Sequence, residues 1–280
     1  MGWALYLLSY TFADKTSGNV NDSNPIVKLT SRRYCGPDSF IKGEIRRNAL
    51  DRNSRFSAFH AIPYAMPPIG TRRFRKPDPY TPPYGFETNP FDGTNPSNNK
   101  SCPQHATDFS IHKESKDEDC LYLSVYTPKL SFNSVNDTLF PVLFWIHGGF
   151  FEHGGGMYYD YGPDRFMKEG DIVMVSINYR LGLLGFMTLG NEYIPGNMGL
   201  WDQRLALEWV KQNIDAFGGN PDMVTIMGES GGSSSVIFQL LNEKMQINHK
   251  DKDLFHRVIV QSGTPFAPAC HELSEERAKK

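Results

Sequence analysis

Residues 223–241 read MVTIMGESGGSSSVIFQLL. Apolar residues lead up to Gly228, the group Glu229-Ser230-Gly231-Gly232 interrupts them, and a segment of helical character follows. The pattern predicts a strand over residues 223–228, a tight turn, and a helix from Ser230 to about Leu241. Gly228 to Gly232 fits G-x-S-x-G, in which a serine sits on a strained strand-to-helix bend. Such a bend leaves no room for side chains two positions to either side of the serine, which is why glycines stand there. Its hydroxyl is then exposed at a sheet edge, above a helix N-terminus that favours developing negative charge. Ser230 is the candidate nucleophile.

Outward from this stretch, further strands are expected at Cys120 to Tyr126, Pro141 to His147, Asp171 to Tyr179 and Arg257 to Ser262. The runs PVLFWIH and DIVMVSINY are almost continuously apolar, as strands buried on both faces are. Asp202 to Phe217 reads as the best helix: Ala206, Val210, Ile214 and Phe217 form its apolar stripe and Gly218-Gly219 stop it. Residues 25–60 read as edge strands and turns, and the proline- and glycine-dense residues 62–103 as ordered surface loop. Buried strands alternating with helices predict an α/β protein with a mostly parallel central sheet flanked by helices. Functional residues collect at the carboxyl ends of such strands.

A second glycine-bearing strand end, Trp145-Ile146-His147-Gly148-Gly149-Phe150-Phe151, supplies what a nucleophilic serine needs. Acyl transfer creates a tetrahedral oxyanion, best stabilised by preorganised backbone N–H groups. The expected donors are the amides of Gly149 and Phe150, with that of Gly231 beside the nucleophile. His147 lies at the strand end before this loop and is assigned a structural role rather than that of the base.

With 280 residues, 39% of them hydrophobic, the chain can build one large core or at most two small domains. A net charge of −2 gives no electrostatic reason for nucleic acid or an anionic membrane as partner. No stretch approaches the roughly 18 consecutive apolar residues of a spanning helix. The cysteines Cys35, Cys102, Cys120 and Cys270 have no zinc-type spacing, so no metal is expected. Cys102 and Cys120 bracket residues 103–119, a length compatible with a disulfide, and composition leaves that bond and two buried thiols equally open. Residues 1–20 read as a weak secretory signal or a disordered lead: an apolar run from Trp3 to Leu8 and a small residue at Ala13, without a basic start. Sequons at Asn21, Asn99 and Asn136 fall in polar stretches and are candidate glycosylation sites.

From about Phe59 to Gly263 the chain resembles the type B carboxylesterases and cholinesterases, of the α/β-hydrolase fold. The resemblance rests on FHAIPYAMPPIGTRRFRKPDP, EDCLYLSVYTP, PVLFWIHGG, DIVMVSINYRLGLLGF, the long segment from PGNMGLWDQ to MGESGG, and FHRVIVQSGTP, all in the family's order. It implies a serine ester hydrolase without metal or cofactor, acting on small carboxylic esters. Residues 21–280 then form the N-terminal part of such a domain, its C-terminal part missing. Ser230 matches the nucleophile, and Gly149, Phe150 and Gly231 match the oxyanion donors. Glu229 matches an acid that tunes the site electrostatically, Arg180–Asp202 matches a buried pair that braces the sheet, and Arg73–Glu118 matches another. Cys102–Cys120 matches a family disulfide and with it a secreted or surface location.

Three departures from the family pattern matter. Phe150 stands where the family carries glycine or alanine, so a restricted acyl pocket is expected. Residues 103–119 hold no tryptophan, only Phe109 as an aromatic, which argues against choline esters. The family order is serine, acid, histidine. After Ser230 only His249, His256 and His271 remain, none in the right context, so the acid and base are expected beyond Lys280 and this chain alone is expected to be inactive. The alternative class is a non-catalytic adhesion or binding relative that uses the same scaffold as a surface.

Overall fold

The computed structural model describes residues 24–29, 38–104, 116–130, 138–156, 161–245 and 253–266. Residues 1–20, the sequons at Asn21 and Asn136, Cys35, Cys270, Phe109, His249 and His271 lie outside them. The apolar runs do become strands. In chain order they are β1 Ile26–Leu29, β2 Ser39–Lys42, β3 Glu44–Arg47, β4 Arg55–Pro63, β5 Phe91–Asp92, β6 Tyr122–Thr127, β7 Phe140–Ile146, β8 Val173–Ile177, β9 Gly219–Glu229 and β10 Arg257–Gln261. The α-helices are α1 Asp164–Glu169, α2 Gly182–Phe186, α3 Met198–Asn213 and α4 Gly231–Met245.

Seven strands form the main sheet in the order β10-β9-β7-β8-β6-β4-β3, and β1-β2-β5 form a small second sheet. The four strands β10, β9, β7 and β8 run parallel, whereas β6, β4 and β3 join antiparallel. The sheet is therefore mixed, where the sequence predicted a mostly parallel one. Hydrophobic periodicity reports burial, not strand direction, which is why the antiparallel half was not distinguished. Ile146 of β7 pairs with Ile177 of β8 and Gly228 of β9, and Glu229 pairs with Gln261 of β10. All four parallel strands thus end at one edge, and the segments that follow them meet there. Helix α4 packs on β9, β10 and β7, and α3 packs on β9 and α4.

The core sits between this sheet and its helices: Phe59, Phe144, Ile146, Val175, Ile177, Val210, Phe217 and Ile226 are fully enclosed. Phe59 meets Phe217 edge to face at 5.0 Å. The helix predicted from Asp202 begins four residues earlier, because Asn197 takes a left-handed φ of 60° that ends the preceding chain. Residues 62–103 are not only surface loop: Tyr64, Ala65 and Tyr84 are buried, and Tyr84 accepts a hydrogen bond from the Trp209 indole at 2.8 Å. The two sheet edges differ. Strand β3 presents Glu44, Arg46 and Arg47, whereas Val258, Ile259 and Val260 of β10 are all exposed. Helix α4 packs on β10, yet these three residues keep 38%, 41% and 46% of their surface.

Two features lock the loops onto this frame. Cys102 and Cys120 form a disulfide with Cα atoms 5.0 Å apart, both buried. Asn178, just past β8, donates to Asn99 Oδ1 and the carbonyls of Lys100 and Cys120, and accepts from the Gly156 amide. Asn99 itself is only 4% exposed with its amide nitrogen enclosed. In this fold the Asn99 amide nitrogen, where glycosylation was expected, faces inward. Polarity marked the segment as a loop but did not mark its asparagine as a packing residue.

Arg180 and Asp202 form a bidentate pair, Nη2–Oδ1 2.6 Å and Nε–Oδ2 2.8 Å, at 3% and 0% exposure. Asp202 also accepts from the Arg180 backbone amide. Burial pulls the Arg180 guanidinium down, but the Asp202 carboxylate more than offsets it, so its pKa ends above the ordinary value. Arg73 and Glu118 make the same fork, 2.6 and 2.7 Å, but at the surface of the described residues. Asp202→Ala strands a buried guanidinium and is expected to cost about 3–5 kcal/mol, read as a lowered urea midpoint. Arg73→Ala, at an exposed pair, is expected to shift the midpoint much less.

Candidate active site

Ser230 lies between β9 and α4 with φ of 54°, a left-handed conformation that L residues with a Cβ rarely adopt. The flanking glycines are required there. A Cβ on Gly228 would collide with the Gly232 carbonyl, and a Cβ on Gly232 with the Ile146 carbonyl of β7. The bend therefore folds back on itself while α4 presses its first turn against the end of β7. Ser230 is half-buried. Its amide donates to Gln261 O at 2.8 Å and its carbonyl accepts from Ser234 N at 3.1 Å, which starts α4.

The loop after β7 comes to this bend. A Cβ placed on Gly231 would sit 3.4 Å from the amide nitrogens of both Phe150 and Phe151. Of the expected donors, Phe150 and Gly231 are thus brought together. The Phe151 amide is equally near, and sequence reasoning missed it. Phe150 and Phe151 are both left-handed, φ 56° and 63°. Packing holds them so: the Phe151 ring is buried against Phe186 at 4.9 Å, and its carbonyl accepts from Gly182 N at 2.7 Å. Gly149 O accepts from the amides of Glu152 and His153, turning the loop back. The Phe150 side chain is 62% exposed, at the rim of the site rather than packed among the described residues. Glu229 is half-buried with its carboxylate against Gly148, and burial pushes its pKa above the usual carboxyl range.

Neither described histidine discussed above is placed as a base. His147 is fully enclosed, its ring stacked on Tyr179 with centroids 4.3 Å apart. Its Nδ1 faces only the Gly148 carbonyl at 2.8 Å, which assigns the proton to Nδ1. Tyr179 Oη donates to the His147 carbonyl at 2.9 Å. Together they brace the peptide that leads into the loop at Gly148, in keeping with a structural role. His256 sits at the start of β10, where its Nδ1 accepts from Val224 N. Val224 precedes Ser230 by six residues on β9, about 20 Å at strand rise. Among the described residues no group of three or more His, Cys, Asp or Glu could hold a metal, and no helix is long and apolar enough to cross a membrane.

The sequence model of the carboxylesterase family matches residues 27–280. Esterase FE4 of Myzus persicae is 43% identical over 219 residues, covering 78% of this chain and 36% of that protein. Acetylcholinesterase of Gallus gallus is 42% identical over 227 residues, covering 77% of this chain and 27% of its own length. Among solved structures, juvenile hormone esterase from Manduca sexta, with OTFP covalently attached, superposes with a TM-score of 0.71 at 31% identity, covering 86% of this chain and 41% of that one. The chain thus spans roughly a third of the length of the curated relatives it matches.

Burial lowers the His147 pKa to about 4 from the ordinary 6.5. The unfolded chain takes up this proton near pH 6.5 and the folded chain only near 4, so stability from this site is full above pH 6.5 and falls as pH drops toward 4. His147→Gln is expected to flatten that part of the stability profile, measured by urea unfolding between pH 4 and 7.

Proposed function

The chain belongs to the carboxylesterase family, and from that premise we propose that these residues are the nucleophile-bearing part of a carboxylic ester hydrolase. The observation that carries the reading is a left-handed serine between two obligatory glycines, with the amide nitrogens of Phe150 and Phe151 brought close to the next residue, Gly231. Ser230 Oγ attacks the ester carbonyl carbon and gives up its proton to a histidine contributed C-terminal to these residues. The oxyanion forms against the amides of Gly149, Phe150 and Gly231, where fixed dipoles stabilise charge without reorganising. Collapse expels the alcohol and leaves the acyl group on Ser230, and water then releases the acid. Without that histidine the serine is a weak nucleophile, so these residues alone are inactive.

The buried Cys102–Cys120 bond persists best in an oxidising compartment, which supports a secreted or surface-exposed enzyme. Two experiments on the complete protein follow. A fluorophosphonate probe is expected to label Ser230, located by peptide mass spectrometry, with label and p-nitrophenyl ester hydrolysis both lost in Ser230→Ala. A folded protein that takes no label would overturn the reading and leave the scaffold as a non-catalytic binding surface. Phe150→Gly, which removes a ring at the rim of the site, is expected to raise the rate on bulky acyl esters relative to acetyl esters; an unchanged ratio would show that the ring does not restrict the acyl group.

A further inference from the structure

We propose that Ser233 and Ser234 are positioning residues for acylation: together with Gly263 they clamp the segment after β10 onto the nucleophile bend and hold Ser230 left-handed. The proposal rests on the reading of Ser230 as the nucleophile. Strands β9 and β10 end in register, Glu229 opposite Gln261, and the next residue in each, Ser230 and Ser262, has the same left-handed φ, 54° and 53°. The two bends lie side by side and are bonded to each other, because Ser230 N–H donates to Gln261 O at 2.8 Å. One residue further on, Gly263 approaches the Ser230 carbonyl so closely that any Cβ would collide with it.

Something must hold this second bend in place, and the first turn of α4 does. Ser233 Oγ donates to Gly263 O at 3.0 Å and Ser234 Oγ donates to Thr264 O at 2.9 Å. Both serines are buried. Serine hydroxyls within a helix more often bond back to a carbonyl of their own preceding turn; here both reach across to another strand's exit. The clamp matters chemically because a left-handed non-glycine residue persists only where its surroundings over-determine it. If the bend relaxes toward the right-handed region, Oγ moves away from the line of attack on the carbonyl, and the loss falls on rate rather than on substrate binding.

The test is made on the complete protein with Ser234→Ala, Ser233→Ala and the double variant. Thr264 is solvent-exposed, so water can satisfy its carbonyl in Ser234→Ala, which makes that variant the one least prone to unfold. For a p-nitrophenyl ester, kcat is expected to fall by roughly tenfold or more in the double variant while KM changes by less than about twofold. Amide hydrogen exchange should accelerate in a peptide spanning residues 229–235 and stay unchanged in peptides from β7 and β8. Unchanged kcat with unchanged exchange would overturn the clamp. So would activity loss with exchange raised evenly across the sheet, the signature of a general stability role. If the unmutated protein neither hydrolyses esters nor takes a fluorophosphonate, the nucleophile reading falls, and exchange at residues 229–235 alone decides the clamp.

Discussion

The structure turns on one unfavourable dihedral. A serine at φ 54° costs about 1–2 kcal/mol relative to a right-handed or extended one, and much of the surrounding architecture bears on that position. Gly228 and Gly232 are stripped of side chains so that the chain can cross itself there. Strand β10 accepts the serine's own amide proton, and α4 begins on its carbonyl. Strand β7 delivers two further left-handed residues, Phe150 and Phe151, to the same place. Ser230, Ser262, Phe150 and Phe151, all left-handed, follow strands that end in register at one edge of the sheet.

What keeps that edge rigid lies one layer back and is both apolar and polar. The Phe151 ring on Phe186 and the stacked His147–Tyr179 pair fix the loop after β7 from beneath. The Arg180–Asp202 pair ties the exit of β8 to helix α3, and Asn178 ties that same exit to the disulfide-bonded segment. A buried ion pair is a poor source of net stability, because desolvation consumes most of the attraction. Its value here is geometric: a planar fork fixes where the backbone at residue 180 sits, and Gly182, two residues on, anchors Phe151.

The two edges of the main sheet differ in character. Edge strand β3 is short and charged, a form that discourages further pairing. Strand β10 instead carries Val258, Ile259 and Val260, all exposed although α4 packs on the strand. At the carboxyl ends of the parallel strands the Ser230 bend and the amides of Phe150 and Gly231 are brought together, while His147 stacks on Tyr179 and His256 bonds to Val224.

Much of this was legible in the sequence because local chemistry wrote it there. Glycine spacing around Ser230 follows from steric necessity, and the runs at residues 141–147 and 171–179 follow from burial. His147 was readable as structural from its place at a strand end. Other features belong to contacts between distant segments. Strand direction in the antiparallel half, the inward turn of Asn99, the Phe151 amide beside Gly231 and the reach of Ser233 and Ser234 to residues 263–264 have no periodic signal. Spacing along a chain determines which backbone conformations are allowed and which side chains must leave water. Which partner each buried polar group then meets is set by long-range packing, and only the tertiary structure decides it.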